Sequence, residues 1–372
     1  MTPLHGLKVV ELARILAGPW AGQTFSELGA EVIKVESPEG DDTRRWGPPF
    51  IDGGDAAYFH ACNRGKRSVT ADFRTDDGQA LVRRLACDAD VLIENFKVGG
   101  LAKYGLDYAS LSALNPRLVY CSITGFGQDG PYADRAGYDY VIQGMAGWMS
   151  VTGEADGQPM KTGVAFTDIF AGLHAVIAIQ AALAQRERTG RGQHVDISLF
   201  DSAVAVTANQ AMNYLTTGKA PGRLGNAHPN LMPYQVVPVS DGWIVIAVGN
   251  DRQWRALCDV LGLHQEQRYA TNADRVAQRA ELTAKLEALT VAFSRDALLA
   301  ACEGAGVPAG PINDMAQVFA DPQAAHRGLR IEADGVPGVR SPFVFSDADV
   351  APPHAAPDLD ADGPALRSSR SD

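Results

Sequence analysis

The sequence predicts an α/β fold: a doubly wound, largely parallel sheet with a second, smaller domain. Three observations predict it. Short apolar strands alternate with helices over the first half of the chain, the opening segments have the strand–helix–strand order of a βαβ unit, and the texture changes between Gly222 and Asp321.

The first unit reads GLKVVELAR, then ILAGPWAGQTFSELGA, then EVIKVE: a strand, a helix of small residues and a second strand. The theme continues with a helix in TDDGQALVRRLACDA, a strand in DVLIENF, a helix in LDYASLSALNP and a strand in RLVYCSITGFG. A long apolar helix from about Ile169 stops at TGRGQ, where Gly190 and Gly192 end it, and HVDISLFDS follows as a strand. Ligands of such sheets bind beyond the carboxyl ends of the strands. In the later part, YQVVPVSDGWIVIAVG reads as a strand pair, RQWRALCDVLG as a helix and TNADRVAQRAELTAKLEALTVAF as charged helices, while VPAGPIN reads as a turn. Residues 1–221 are therefore assigned to the large domain and 222–321 to the small one. Residues 322–350 return to the large domain, and the Pro-, Ala- and Asp-rich tail 351–372 is expected to be extended or disordered.

Composition excludes several function classes. The 372 residues carry a formal net charge of −11, and nucleic-acid binding normally requires a basic domain or stripe, so no nucleic-acid partner is expected. The start, MTPLHGLKVVELAR, has no basic-then-apolar leader, which points to the cytoplasm. His174 and Gln180 interrupt the long apolar helix, so no membrane partner is expected. The five cysteines, Cys62, Cys87, Cys121, Cys258 and Cys302, are scattered and odd in number, which suggests neither a disulfide framework nor a zinc site.

Asp168 stands at the mouth of the long helix in KTGVAFTDIF, and two readings of it stay open. Thr167 or Asp168 caps the helix by accepting its unpaired N–H groups, or Asp168 is a carboxylate nucleophile. A dinucleotide reading of the first βαβ unit has Glu36 for a ribose, but LAGPWAG places Gly18 and Gly22 outside the G-x-G-x-x-G spacing, which disfavours a nicotinamide enzyme. The segment NRGKRSVTADFR concentrates Arg64, Lys66, Arg67 and Arg74 in an acidic protein. It is either a solvated loop or a binding site for nucleotide phosphates, with Lys97 and Lys103 on the same sheet edge. His174 reads as a packed residue and His228 as a loop residue near a ligand. The absence of G-x-S-x-G excludes a serine-hydrolase elbow.

Taken in order, LAGPWAGQ, LGAEVIKVE, NRGKRSVTADF, DVLIENFKVGG, SITGFGQDGPY, AGYDYVIQ, the Asp168 segment and RTGRGQHVDISLFD resemble the class III (family III) coenzyme A transferases. That family also includes formyl-CoA transferase and α-methylacyl-CoA racemase. The resemblance implies a Rossmann-like large domain built from both ends of the chain, a smaller α+β domain and an interlocked homodimer. It implies an enzyme that moves coenzyme A between acyl-CoA and small carboxylic acids, with coenzyme A as substrate and no tightly bound cofactor. Asp168 matches the family's nucleophile, which passes through aspartyl anhydride and aspartyl-CoA thioester intermediates. A helix N-terminus would favour its ionised form by about 0.3–1 kcal/mol.

The same resemblance assigns the coenzyme A pocket to the Ala17–Gly18 turn, to Ala71, Asp72, Phe73 and Arg74, to Asn95 and Phe96, and to Lys97 and Lys103. Tyr138 is placed near the thioester. Ser37 stands where some members have arginine, so adenine or phosphate contacts there are either lost or moved to Arg44 or Arg67. The glycine-rich loop of formyl-CoA transferases is replaced by GRLGNAHPN, which disfavours oxalate as acceptor. That stretch resembles members using succinyl-CoA and dicarboxylic acids, with Arg14, Arg64, Arg223 and His228 as partners for a distal carboxylate. The alternatives are a racemase-like enzyme and a non-catalytic coenzyme A-binding protein. Tyr138 occupies the place of the racemase histidine, and a neutral tyrosine is too weak a base near neutral pH.

Overall fold

The computed structural model describes residues 1–51 and 54–368. The chain forms two compact units: Met1–Trp148, Lys161–Gly218 and the chain from Pro322 onward make one, and Met149–Met160 with Lys219–Asp321 make the other.

The first unit is built on six parallel strands: β1 (Lys8–Glu11), β2 (Glu31–Glu36), β3 (Arg67–Thr70), β4 (Val91–Glu94), β5 (Val119–Thr124) and β6 (His194–Ser198). Their spatial order, β3-β2-β1-β4-β5-β6, reverses direction between β1 and β4, which is where a doubly wound sheet opens a crevice at its carboxyl edge. Successive strand residues point to opposite faces, and both faces are apolar. Val9, Val91 and Ile93 pack with Ala17, Ala21 and Phe25 of the helix Ala17–Glu27 and with Ala171, Ala175 and Ile179 of the helix Phe166–Thr189. Val10, Leu92 and Tyr120 pack on the other side with Leu81 and Val82 of the helix Asp76–Cys87.

The helix Phe166–Thr189 begins a turn earlier than the sequence predicts and fixes the site's position. It joins β5 to β6 and so runs back against the strands. Near its end Arg186 donates to the carbonyls of Asp90 and Arg117, at the amino edge of the sheet, so its N-terminus lies at the carboxyl edge. By length and composition this helix could span a membrane, contrary to the expectation drawn from His174 and Gln180. It is nevertheless the central helix of the first core, with Ala171, Ala175, Ile179 and Ala182 buried.

Two further expectations need correction. NRGKRSVTADFR is neither a solvated loop nor a patch of free cations: it contains β3, and Arg64 and Lys66 are buried. The tail is only partly extended. Residues 351–362 run along the unit, Gly363–Ser368 is helical, and 369–372 lie outside the described residues. Asp360 accepts the Thr70 N–H at 2.7 Å and Asp362 accepts the Ser68 N–H at 3.0 Å, so the two carboxylates occupy the outer edge of β3. A short antiparallel hairpin, β10 (Arg330–Ala333) and β11 (Val336–Val339), precedes them, and the three strands between β6 and β10 in the chain belong to the second unit.

That unit has an antiparallel sheet of β7 (Tyr234–Val239), β8 (Gly242–Ala247) and β9 (Ala309–Pro311), covered by helices that include Asp251–Leu261, Arg279–Thr290 and Arg295–Gly304. Val237, Ile244, Trp254, Leu257, Leu282 and Leu298 form its core. VPAGPIN, expected as a turn, contributes the third strand. Met149–Met160, expected in the large domain, packs here through Arg223, whose guanidinium donates to the carbonyls of Glu154 (3.1 Å) and Gly157 (2.8 Å).

Candidate active site

Asp168 is the third residue of its helix, and it does not cap it. The residue at the cap position, Ala165, offers no side-chain acceptor, and among the described residues no hydrogen bond ends on the Asp168 carboxylate. The cap comes from elsewhere. Asp139, at the start of the helix Asp139–Met145, accepts the Thr167 N–H at 3.0 Å and the Thr167 hydroxyl at 2.7 Å through one carboxylate oxygen. Its other oxygen accepts from Gln143 at 2.8 Å, and the Gln143 side-chain carbonyl in turn holds the Thr162 N–H at 2.9 Å. The anion that satisfies the helix N-terminus is thus Asp139, and the carboxylate next to it is left without a partner.

The electrostatic consequence opposes the sequence-based expectation. Asp168 keeps part of its surface open, but protein fills most of the volume around it. Burial first, and the like charge of Asp139 second, raise its carboxyl to about 7. These two effects outweigh the helix terminus, whose donor is already committed to Asp139. Tyr58, on the helix Ala57–Cys62, has its phenol pushed well above its ordinary value by burial and by the charge of Asp168. It therefore stands near Asp168 as a neutral hydroxyl.

A carboxylate raised in this way is more basic and, once ionised, a better nucleophile. Activity that needs it ionised should fall on the acid side with a midpoint close to the carboxyl's value of about 7. Asp139→Asn removes the like charge, so the acid limb of kcat/KM should move to lower pH; an unchanged limb would separate that limb from Asp168.

The second element is the turn after β1. Ile15 adopts φ 72°, a left-handed conformation that is costly for a β-branched residue. The turn is tied down on both sides: the Ile15 N–H donates to Asp41, and Asn95 accepts the Arg14 N–H at 2.9 Å while donating to the Arg14 carbonyl at 2.7 Å. The helix Ala17–Glu27 then starts without a side-chain cap, and the N–H groups of Ala17 and Gly18 have no acceptor among the described residues. Gly18 is required here, because a Cβ would lie 2.2 Å from that of Ala13. The Asp168 helix crosses this turn closely at Gly172, where a Cβ would lie 2.6 Å from the Ala17 carbonyl oxygen. An uncapped helix start and an unpartnered carboxylate thus share one edge of the sheet.

Beside the turn, at the carboxyl ends of β1 to β4, lies a cavity of about 290 Å3. It is lined by Leu12, Arg14, Ser37, Phe73, Phe96 and Tyr104 among others, and it brings together the expected Ala71, Asp72, Phe73, Arg74 and Phe96. Phe73 packs against Phe96 at 5.9 Å and Tyr104 at 6.3 Å, giving the aromatic walls a flat heterocycle needs. Arg74 folds onto Asp72 at the exposed rim, and Lys103 lies 4.7 Å over the Tyr104 ring. Lys97 lines a neighbouring cavity with Glu94 and His194. Tyr138 is exposed and immediately precedes Asp139.

Other expected residues are elsewhere. Arg44 is buried against Glu36 (2.7 Å), Asp55 and the Phe59 ring, which leaves it no free donor face for a phosphate. Arg67 pairs with Glu31 and Asp362 at the amino end of β3, away from the cavity. Arg64 is buried against Glu27 at 2.5 Å beside the β10–β11 hairpin. Arg223 and His228 belong to the second unit, where Arg223 is spent on backbone carbonyls and His228 accepts the Asn230 N–H at 3.1 Å. Of the four residues proposed for a distal carboxylate, only Arg14 lies at the cavity, where it pairs with Asp42 at 3.1 Å.

Sequence reasoning missed Asp139, Tyr58 and Tyr104. Asp139 had a visible signal, an acidic residue next to the expected Tyr138 in AGYDYVIQ; Tyr58 and Tyr104 had none. Among the described residues no group of three or more His, Cys, Asp or Glu side chains is arranged to hold a metal.

Comparison with known proteins gives a consistent result. A family model described as CoA-transferase family III matches residues 4–363. A succinate–glutarate CoA-transferase of Agrobacterium fabrum is 57% identical over 371 residues, covering 96% of this chain and 93% of that one. A succinyl-CoA:glutarate CoA-transferase of Mus musculus is 42% identical over 366 residues, covering 95% and 84%. The crystal structure of a CAIB/BAIF family protein from Brucella suis superposes with a TM-score of 0.90 at 64% identity, covering 99% of each chain.

Proposed function

Because the chain belongs to CoA-transferase family III and is an acyl-CoA:carboxylate CoA-transferase, as its relatives are, we propose that it works through Asp168 as a covalent nucleophile and exchanges coenzyme A between succinyl-CoA and a dicarboxylic acid such as glutarate. The observation that carries this reading is the unpartnered Asp168 carboxylate, raised to about 7, beside the uncapped start of the helix Ala17–Glu27.

The steps balance without an external base. The Asp168 carboxylate attacks the thioester carbonyl, the C–S bond breaks, and a mixed anhydride and the coenzyme A thiolate form. The thiolate attacks the aspartyl carbonyl, which releases the donor acid as its carboxylate and leaves an aspartyl thioester. The acceptor carboxylate attacks that thioester, and the thiolate returns to the acceptor's carbonyl, which regenerates Asp168. Each attack develops an oxyanion. The Ala17 and Gly18 N–H groups are the donors we assign to it, a role in which losing one donor costs about 2.7–4 kcal/mol. Phe73, Phe96 and Tyr104 receive the adenine, and Arg74 and Lys103 meet the phosphates.

The names of the relatives support a dicarboxylate pair, with Arg14, at the cavity beside Asp42, as the cation we assign to the distal carboxylate. Exposed Ile177, Met212, Tyr214 and Leu215 are apolar surface that a second copy of the chain would cover, and they support the homodimer. We place the enzyme in the cytoplasm.

The test is direct. The protein is incubated with succinyl-CoA, quenched with hydroxylamine or borohydride, and its peptides are examined by mass spectrometry; glutaryl-CoA formation from added glutarate is followed in parallel. Modification confined to the Asp168 peptide is expected. Coenzyme A binding without modification or transfer would favour the binding-protein reading.

A further inference from the structure

The turn that presents the Ala17 and Gly18 amides is strained, and the structure supplies a cause for its persistence. Beneath it, four charged side chains meet in the interior. Glu11 at the end of β1, Lys34 on β2, Asp41 after β2 and Lys66 before β3 are wholly buried along their side chains. Lys34 lies 3.0 Å from Glu11 and 2.9 Å from Asp41, while Lys66 closes on the other Glu11 oxygen at 2.8 Å. Two cations face two anions, so the set is neutral. Burial alone would raise the Asp41 carboxyl, yet Lys34 and the Thr43 hydrogen bonds hold it below its ordinary value. For Lys34 burial works against the charge, and Glu11 and Asp41 more than offset it.

Three of the four also bond the same stretch of backbone, while Glu11 is spent on the two lysines and Lys66 donates to Asn63 Oδ1 at 2.8 Å as well. Lys34 donates to the Ala13 carbonyl at 2.9 Å, Asp41 accepts the Ile15 N–H at 3.2 Å, and Lys66 donates to the Pro19 carbonyl at 2.9 Å. These contacts bracket Ile15, the residue with φ 72°, and the two unpaired amides that follow it. Hydrophobic side chains would fill the same volume, and replacing buried ion pairs by them is often neutral or stabilising. They would not hold two carbonyls and one N–H at fixed points.

We infer that the Glu11–Lys34–Asp41–Lys66 cluster is a positioning device for the reaction, holding the Ala13–Pro19 turn so that its free amides meet the reacting oxygen, with Asp41 and Lys34 as positioning residues. This rests on the reading of Asp168 as the nucleophile. None of the four side chains lines the aromatic cavity, and Arg14, the residue of that turn that does, is held separately by Asn95, so the cluster bears on the chemical step more than on coenzyme A binding.

Asp41→Asn tests the idea, since asparagine keeps the shape and can still accept the Thr43 N–H. The rate of Asp168 modification by succinyl-CoA should fall by about ten- to a hundredfold, as small misplacements of reacting groups do, while the dissociation constant of coenzyme A stays within about twofold. The double variant Lys34→Met/Asp41→Asn removes the uncompensated charge. It should regain thermal stability relative to Asp41→Asn yet remain slow in acylation. Acylation that recovers together with stability in the double variant, or that never fell in Asp41→Asn, would overturn the inference and leave the cluster a purely structural one. If the wild-type protein itself shows no modified Asp168 while binding coenzyme A, the failure lies with the nucleophile assignment and not with the cluster.

Discussion

Replacing Asp168 with alanine should abolish coenzyme A transfer and should leave the aromatic cavity able to bind coenzyme A. The expected loss in kcat is at least about a thousandfold, the scale seen when a covalent nucleophile is removed from a set that acts as a unit. No neighbouring group can replace it, because the Asp139 carboxylate is committed to Thr167 and Gln143 and Tyr58 stays neutral. Steady-state transfer with calorimetric binding checks both halves; retained transfer would require another nucleophile. The same site predicts an unusual stability effect. An unfolded aspartate titrates at about 3.9, whereas the folded carboxyl is raised to about 7. Between these values the folded state holds the extra proton, so stability falls as pH rises through that window and the penalty is complete above it. Asp168→Asn should therefore be more stable than the wild type at pH about 8 and gain little at pH about 4. On the proposed reading of Asp168, the nucleophile is held at a cost in stability, which is a common feature of catalytic sites.

The second large effect concerns the interior and not the chemistry. Lys34→Met should destabilise the first unit by about 3–5 kcal/mol, the range for removing one partner of a buried pair. Lys34 is wholly buried and serves two anions at once, Glu11 at 3.0 Å and Asp41 at 2.9 Å. Lys66 remains beside Glu11, so the orphaned charge is chiefly Asp41. Urea unfolding should show a lower midpoint with an unchanged slope; a stability within about 0.5 kcal/mol of wild type, the scale of an ordinary surface change, would mean that solvent or rearrangement replaces the lysine. This differs in kind from the exposed pair of Arg74 and Asp72, whose loss should matter little to folding.

The parts of the fold that were legible from sequence are those where periodicity and punctuation agree. The βαβ opening, the helix after Thr75 and the helix ending at Gly190 all carry such signals, and each is present. β3 was hidden because its four residues sit among the cations Arg64, Lys66 and Arg67, whose partners Glu27, Glu11, Glu31 and Asp362 lie far away in sequence. Charge along a chain does not reveal whether it is solvated or paired. For the same reason Arg44, Arg64 and Arg67 read as ligands for phosphate or carboxylate and turned out to be spoken for. β9 was hidden by Pro308, Gly310 and Pro311, which an edge strand of three residues tolerates. In the candidate site, the position of Asp168 at the start of its helix was legible, but its electrostatics were not, because they depend on which neighbour takes the helix cap.

The carboxylates of Asp360 and Asp362 on the rim of β3 also bear on how the protein should be handled. A parallel sheet with a bare outer strand invites pairing with a second molecule, and here that strand's N–H groups are answered by the chain's own last turns. A protein trimmed after residue 350 as if the remainder were dispensable would lose this guard and gain a sticky margin. Affinity tags and surface tethers therefore belong at the amino end, where they leave the seam closed.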